Sequence, residues 1–154
     1  MNDLFQVIRQ QNTKLVKDTL DHHAAALNQR DQRGSTPLLL AAYTGNEAMT
    51  QLILDYQPDV NAQDLSGSTA LMGVSFKGYT AIARLLLEKG ADPNVRNQNG
   101  ATALIYASMF QQKEMVQLLL DANADINIKD KSGKTAVDYA KEKGYEDIIS
   151  LLGT

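Results

Sequence analysis

Few side chains in this 154-residue sequence are of a type and spacing that could do chemistry. His22 and His23 are its two histidines. They are adjacent, and adjacent helical residues point about 100° apart, so they do not share a face as metal-ligating i, i+4 pairs do. The chain has no cysteine, which excludes a thiolate zinc site, a cysteine nucleophile and a disulfide framework together. Two carboxylate columns recur: Asp55, Glu88 and Asp121, and Asp59, Asp92 and Asp125. Catalytic carboxylate pairs lie roughly 5–10 Å apart in a cleft. These columns fall in loops instead, which reads as solvated or turn-bonding carboxylates. The sequence contains neither a phosphate-cradling glycine loop nor a nucleophile elbow. It therefore predicts no catalytic residue, no metal and no cofactor.

Composition points the same way. With 44% hydrophobic and 21% charged residues, the chain is a folded domain rather than a disordered segment. The absence of Trp and the low aromatic content predict a core of small aliphatic side chains. Fifteen Lys and Arg face eighteen Asp and Glu, a net charge of −3, so nucleic acid is not the expected partner. The leading residues Met1-Asn2-Asp3-Leu4-Phe5 lack the basic region and long apolar stretch of a secretory signal. The run Leu38-Leu39-Leu40-Ala41-Ala42-Tyr43 is far shorter than the ~18 residues of a membrane span. The expectation is a protein that engages no membrane and resides in the cytoplasm.

The informative signal is a repeat. Gly34, Gly67, Gly100 and Gly133 are 33 residues apart throughout, as are Thr36, Thr69, Thr102 and Thr135. Asp31, Asp64, Asn97 and Asp130 keep that period, and so do Leu52, Leu85, Leu118 and Leu151. Each unit opens on an Asp-x-x-Gly turn, in which glycine supplies a positive φ at little cost. A Thr follows, suited to cap a helix start. A short apolar helix comes next, ended by Gly45, Gly78 or Gly144. In the third full unit Gln111 takes that glycine's place, which predicts strain there. Gly73 falls inside a predicted helix at a cost of up to ~1 kcal/mol. A second helix carries apolar residues at i, i+3, i+4, as in Met49-Leu52-Ile53 and Ile82-Leu85-Leu86.

The predicted fold is all-α: a single domain over 1–154, with about five stacked helical pairs and no linker. A degenerate N-terminal unit covers 1–30, full units cover 31–63, 64–96 and 97–129, and a truncated unit covers 130–154. In the last unit Lys129, Lys131, Lys134, Lys141 and Lys143 interleave with Asp130, Asp138, Glu142, Glu146 and Asp147. Five cations against five carboxylates read as a solvated terminal unit covering the open end of the stack.

A 33-residue unit of turn plus two helices resembles the ankyrin repeat, whose marker is Thr-Pro-Leu-His-x-Ala. The resemblance is carried by Gly34-Ser35-Thr36-Pro37-Leu38-Leu39-Leu40-Ala41-Ala42 and by Arg84-Leu85-Leu86-Leu87-Glu88-Lys89-Gly90-Ala91-Asp92-Pro93-Asn94. The segment Gly100-Ala101-Thr102-Ala103-Leu104-Ile105-Tyr106-Ala107 is similar to short, stand-alone bacterial members. The marker histidine is absent, replaced by Leu39, Met72, Ile105 and Asp138, so apolar packing must stand in for the Thr–His hydrogen bonds the family often uses.

The resemblance implies a non-enzymatic scaffold for protein–protein interaction, binding on a concave face built from turn tips and first helices. Tyr43, Phe76 and Met109 then fall one unit apart, with Phe110 beside the last, and about 10 Å per layer makes them one ridge. Such side chains are favoured in interface cores. Lys77 extends that ridge, and Arg33, Leu65, Gln98 and Asn99 would form its rim at the turns. Tyr43, Phe76 and Met109 could equally fill grooves between neighbouring first helices. The expected state is a monomer with another protein as partner. The alternatives are self-association through the ridge and, further off, an enzyme.

Overall fold

The computed structural model describes residues 3–153. Met1 and Asn2, at the start of the leader and first unit, and Thr154, at the end of the last, lie outside the described residues.

The turn chemistry comes first in each unit. The Asp31 carboxylate accepts the backbone N–H groups of Arg33 at 2.9 Å and Ser35 at 3.0 Å, while its carbonyl accepts that of Gly34 at 2.9 Å. Asp64, Asn97 and Asp130 repeat this pattern. Gly34 sits at φ 75°, a conformation an L side chain resists. Thr36, Thr69, Thr102 and Thr135 then cap the first helices α3 (Pro37–Tyr43), α5 (Ala70–Lys77), α7 (Ala103–Met109) and α9 (Ala136–Lys143), each hydroxyl accepting an N–H of the first turn. Where the marker histidine would stand, Leu39, Met72 and Ile105 are buried. Asp138 instead closes a capping box with Thr135.

The second helices are α4 (Glu47–Leu54), α6 (Thr80–Glu88), α8 (Lys113–Asp121) and α10 (Glu146–Leu152). The chain begins with α1 (Leu4–Arg9) and α2 (Thr13–His22), followed by a 3-10 turn over Ala24–Asn28. First helices pack side by side in the order α1, α3, α5, α7, α9, and second helices in the order α2, α4, α6, α8, α10. The result is an all-α solenoid whose main helix contacts run within a unit and between neighbouring units.

The core lies between the two rows. Leu38, Ala41, Met49 and Ile53 are buried, as are their counterparts Leu71, Val74, Ile82 and Leu86, and Leu104, Ala107, Met115 and Leu119. Each large aliphatic side chain so buried contributes about 1.5–3 kcal/mol. Hydrogen bonds set the register instead. The Arg30 guanidinium donates to the carbonyls of Gly34 at 2.6 Å and Gln63 at 2.7 Å. One unit on, the Gln63 amide donates to Gly67 at 2.7 Å and Arg96 at 3.1 Å, and Arg96 donates in turn to Gly100 and Lys129. At about 0.5–1.5 kcal/mol net each, such bonds add less than the packing but fix which turn lies over which.

Besides the turn glycines Gly34, Gly67, Gly100 and Gly133, left-handed residues occupy two further columns. Gly45 (φ 77°), Gly78 (φ 79°), Gln111 (φ 55°) and Gly144 (φ 70°) end the first helices, so the strain expected at Gln111 is present. Gln57 (φ 60°), Gly90 (φ 93°) and Asn123 (φ 64°) form a second column after the second helices.

Candidate functional site

A groove of about 1280 Å³ runs along the turn tips and first helices of the earlier units, with Phe5, Arg33, Leu40, Tyr43, Met72 and Phe76 in its wall. Its geometry starts at a missing side chain. A Cβ on Gly73 would come within 2.9 Å of Tyr43 Cδ2, so the tyrosine ring of α3 lies in a notch that only glycine leaves open on α5. This proximity gives the helix-internal glycine its structural reason. Gly73, Phe76 and Lys77 share one face of α5 by i, i+3, i+4 spacing. Lys77 Nζ lies 4.9 Å from the Tyr43 ring centroid, a cation–π arrangement. Phe76 meets Phe110 edge to face, with centroids 4.6 Å apart and planes at 77°. Tyr43, Phe76 and Phe110 thus run across three consecutive units, and they remain 50%, 37% and 43% exposed.

The other sequence-derived candidates are placed differently. Met109 is half-buried and packs against the core. Leu65 is 68% exposed at its turn tip, with its side chain folded over Gly34, where an added Cβ would lie 2.9 Å from Leu65 Cγ. Arg33 is exposed and lines the groove. The Gln98 amide donates to the Leu65 carbonyl, so it helps to join two turns. Asn99 is exposed, and its carbonyl accepts the Lys131 N–H at 2.9 Å.

The groove also contains residues not singled out from sequence. Arg9 pairs with Asp31 at 3.7 Å, and Arg30 belongs to the inter-unit ladder described above. The 33-residue spacing of Arg30, Gln63, Arg96 and Lys129 was the available signal for the ladder. Nothing local in the sequence marked Arg9, whose partner is on the following unit.

Titratable groups in unusual states lie outside the groove. The Tyr139 hydroxyl donates to Asp130, and that bond, then burial and the carboxylate's charge, push the phenol up to about 12. Burial alone would raise Asp130, but the Tyr139 hydroxyl and the N–H groups of Lys134 and Ser132 outweigh it and hold the carboxyl below its ordinary range. Asp21 is lowered by its bond to Lys17 at 2.6 Å and then by the Tyr56 hydroxyl, tying α2 to the end of α4. These are ties between elements rather than acid–base pairs facing a cavity.

The remaining chemistry-bearing residues are similarly engaged. His22 Nδ1 lies 2.8 Å from the Asp18 carbonyl of its own helix. Asp59, Asp92 and Asp125 accept the backbone N–H groups of Asn61, Asn94 and Asn127, as turn-bonding carboxylates do. Asp55 and Asp121 accept from Gln51 and Gln117, and Glu88 and Asp121 are the last residues of α6 and α8 rather than the loop residues expected from sequence. Among the described residues no group of three or more His, Cys, Asp or Glu side chains could hold a metal ion, and no helix is long and apolar enough to cross a membrane.

Comparison with known proteins agrees with this geometry. A family model described as ankyrin repeats (3 copies) matches residues 4–97 and again 74–153. A curated relative, the ankyrin repeat and SAM domain-containing protein 6 of Rattus norvegicus, is 36% identical over 59 residues, which is 38% of this chain. The match spans only 7% of that relative's length.

Proposed function

We propose, from the premise that the chain belongs to the ankyrin-repeat family, that it binds another protein in the groove formed by its turn tips and first helices. Ankyrin repeats are generally protein–protein interaction modules, and the family is generally non-enzymatic. The observation that carries the reading is the row Tyr43, Phe76 and Phe110 across three units: Tyr43 sits in the Gly73 notch, Phe76 meets Phe110 edge to face, and Tyr43 and Phe76 line the groove. Exposed aromatic rings that are already fixed lose little freedom on association, so their burial turns efficiently into affinity. A few such anchors supply most of the binding energy in a typical interface.

In this reading the chain acts as a monomer in the cytoplasm, without catalysis and with neither nucleic acid nor membrane as partner. The turn-bonded carboxylates leave no acid–base pair in the groove, and the net charge is −3.

The test is affinity capture from the native source with the wild-type chain and the triple variant Tyr43→Ala, Phe76→Ala, Phe110→Ala. A specific protein retained by the wild type and lost by the variant, at an unchanged melting temperature, is the expected outcome. Equal retention by both chains, or a variant that melts far lower, would assign these rings to the fold and sink the reading.

A further inference from the structure

Each later turn in the stack is tied to the turn before it. The N–H groups of Leu65, Gln98 and Lys131 donate to the carbonyls of Arg33, Ser66 and Asn99 at 3.0, 3.0 and 2.9 Å. The carbonyls of Gln63, Arg96 and Lys129 accept from the side chains of Arg30, Gln63 and Arg96 at 2.7, 3.1 and 2.8 Å. In these three units the N–H one residue after the turn's Asp or Asn, and the carbonyl one residue before it, therefore both face the preceding unit.

The same pair on the unit that opens at Asp31 is the N–H of Gln32 and the carbonyl of Arg30. Among the described residues neither group has a hydrogen-bond partner, and both residues are exposed. The unit before them supplies α1 and α2 but, among the described residues, no turn. That place is one end of the groove: Asp3, Phe5 and Arg9 line it together with residues 29–33, and Arg9 reaches Asp31 at 3.7 Å.

What fits there is limited. The helices α1 and α2 already pack on α3 and α4, so a further helix pair, including the end of a second copy, has no room. A helix also spends its backbone N–H and C=O groups on itself. Arg9, Arg30 and Arg33 face Asp3, Asp31 and Asp64 in the lining, so charge selects no occupant. The open backbone pair does. A carbonyl and an N–H two residues apart on one edge are the groups with which a strand meets a single residue of a parallel neighbour.

We infer that the groove takes its partner as an extended polypeptide segment, added as a strand beside residues 30–32. One residue of the segment accepts the Gln32 N–H with its carbonyl and donates its own N–H to the Arg30 carbonyl. Main-chain bonds of this kind give affinity, and pockets for alternate side chains give specificity.

The inference rests on the groove being a protein-binding face, and its test separates the two. Gln32 is the second residue of a turn closed by the Gly34 N–H on the Asp31 carbonyl, a position that favours proline. Gln32→Pro thus removes the open N–H without removing a bond of the fold, whereas Gln32→Ala keeps it. A displayed library of random dodecapeptides is selected on the wild-type chain. Synthetic survivors are titrated against both variants and against the triple variant Tyr43→Ala, Phe76→Ala, Phe110→Ala. A survivor should bind Gln32→Pro at least about tenfold more weakly at an unchanged melting temperature, and bind Gln32→Ala as it binds the wild type. N-methylation at one position of the peptide should cost as much. Independently of any variant, the survivor should slow deuterium exchange at the Gln32 amide at least about tenfold. Equal losses with Gln32→Ala, or a Gln32 amide that exchanges alike with and without peptide, would overturn the inference. Peptides bound equally by Gln32→Pro yet lost by the triple variant would overturn the strand and leave the groove reading intact. Peptides indifferent to both, or no enrichment at all, would overturn both.

Discussion

At the scale of single residues, the fourth position of the first helix shows how small substitutions redirect chemistry. Leu40, Gly73, Tyr106 and Tyr139 occupy it in turn. Gly73 gives the Tyr43 ring its notch, whereas Tyr106 accepts from the Asn97 amide at 2.8 Å and Tyr139 donates to the Asp130 carboxylate. The last bond has a pH signature. Asp130 titrates below its ordinary 3.8 when folded, so its stabilisation is present above that value and is lost as pH falls through the folded pKa. Tyr139 is raised to about 12 from 10, so its contribution is complete below the unfolded value and is lost as pH climbs towards the folded one. Urea midpoints should therefore hold level between about pH 5 and about pH 9 and fall on either side. Tyr139→Phe should lower the plateau by about 1 kcal/mol and soften both limbs. A variant profile superimposable on the wild type would mean that the bond does not form in solution.

At the scale of elements, the turn between α7 and α8 is a strained joint, as is that between α1 and α2, where Gln11 sits at φ 59°. Gln111 holds φ 55° where the corresponding residues are Gly45, Gly78 and Gly144. An L side chain in that region costs about 1–2 kcal/mol, offset in part by the unfolded-state freedom that glycine brings. Gln111→Gly should accordingly raise stability by about 0.5–1 kcal/mol, read as a higher urea midpoint at constant slope. An unchanged or lower midpoint would show that its contact with Asp147 at 3.4 Å outweighs the strain. This joint was legible in the sequence, since a missing glycine breaks a visible column. So were the helix pairs, because the Thr caps and the i, i+3, i+4 leucines leave marks at fixed spacing. The second left-handed column escaped notice because only Gly90 among its members advertises that conformation. The arginine ladder and the seat of Tyr43 escaped for another reason: both depend on what a residue meets one unit away. The same limit separated Met109 from Phe110, adjacent in sequence yet half-buried and exposed.

At the scale of the whole molecule, stability passes from neighbour to neighbour, because each helix packs mainly within its own and adjoining units. Amides of α5 and α7, covered on both sides, should exchange with deuterium most slowly, and those of α1 and α10 fastest. Uniform protection along the chain would instead mean that all units open together. The row arrangement also has a geometric consequence. A slight tilt at any one interface is carried by every layer beyond it, so the pile flexes like a bow and its ends travel farthest. The tyrosine seated over Gly73 lies between the second and third layers, where a ligand pressing on that ring would bend the entire arc.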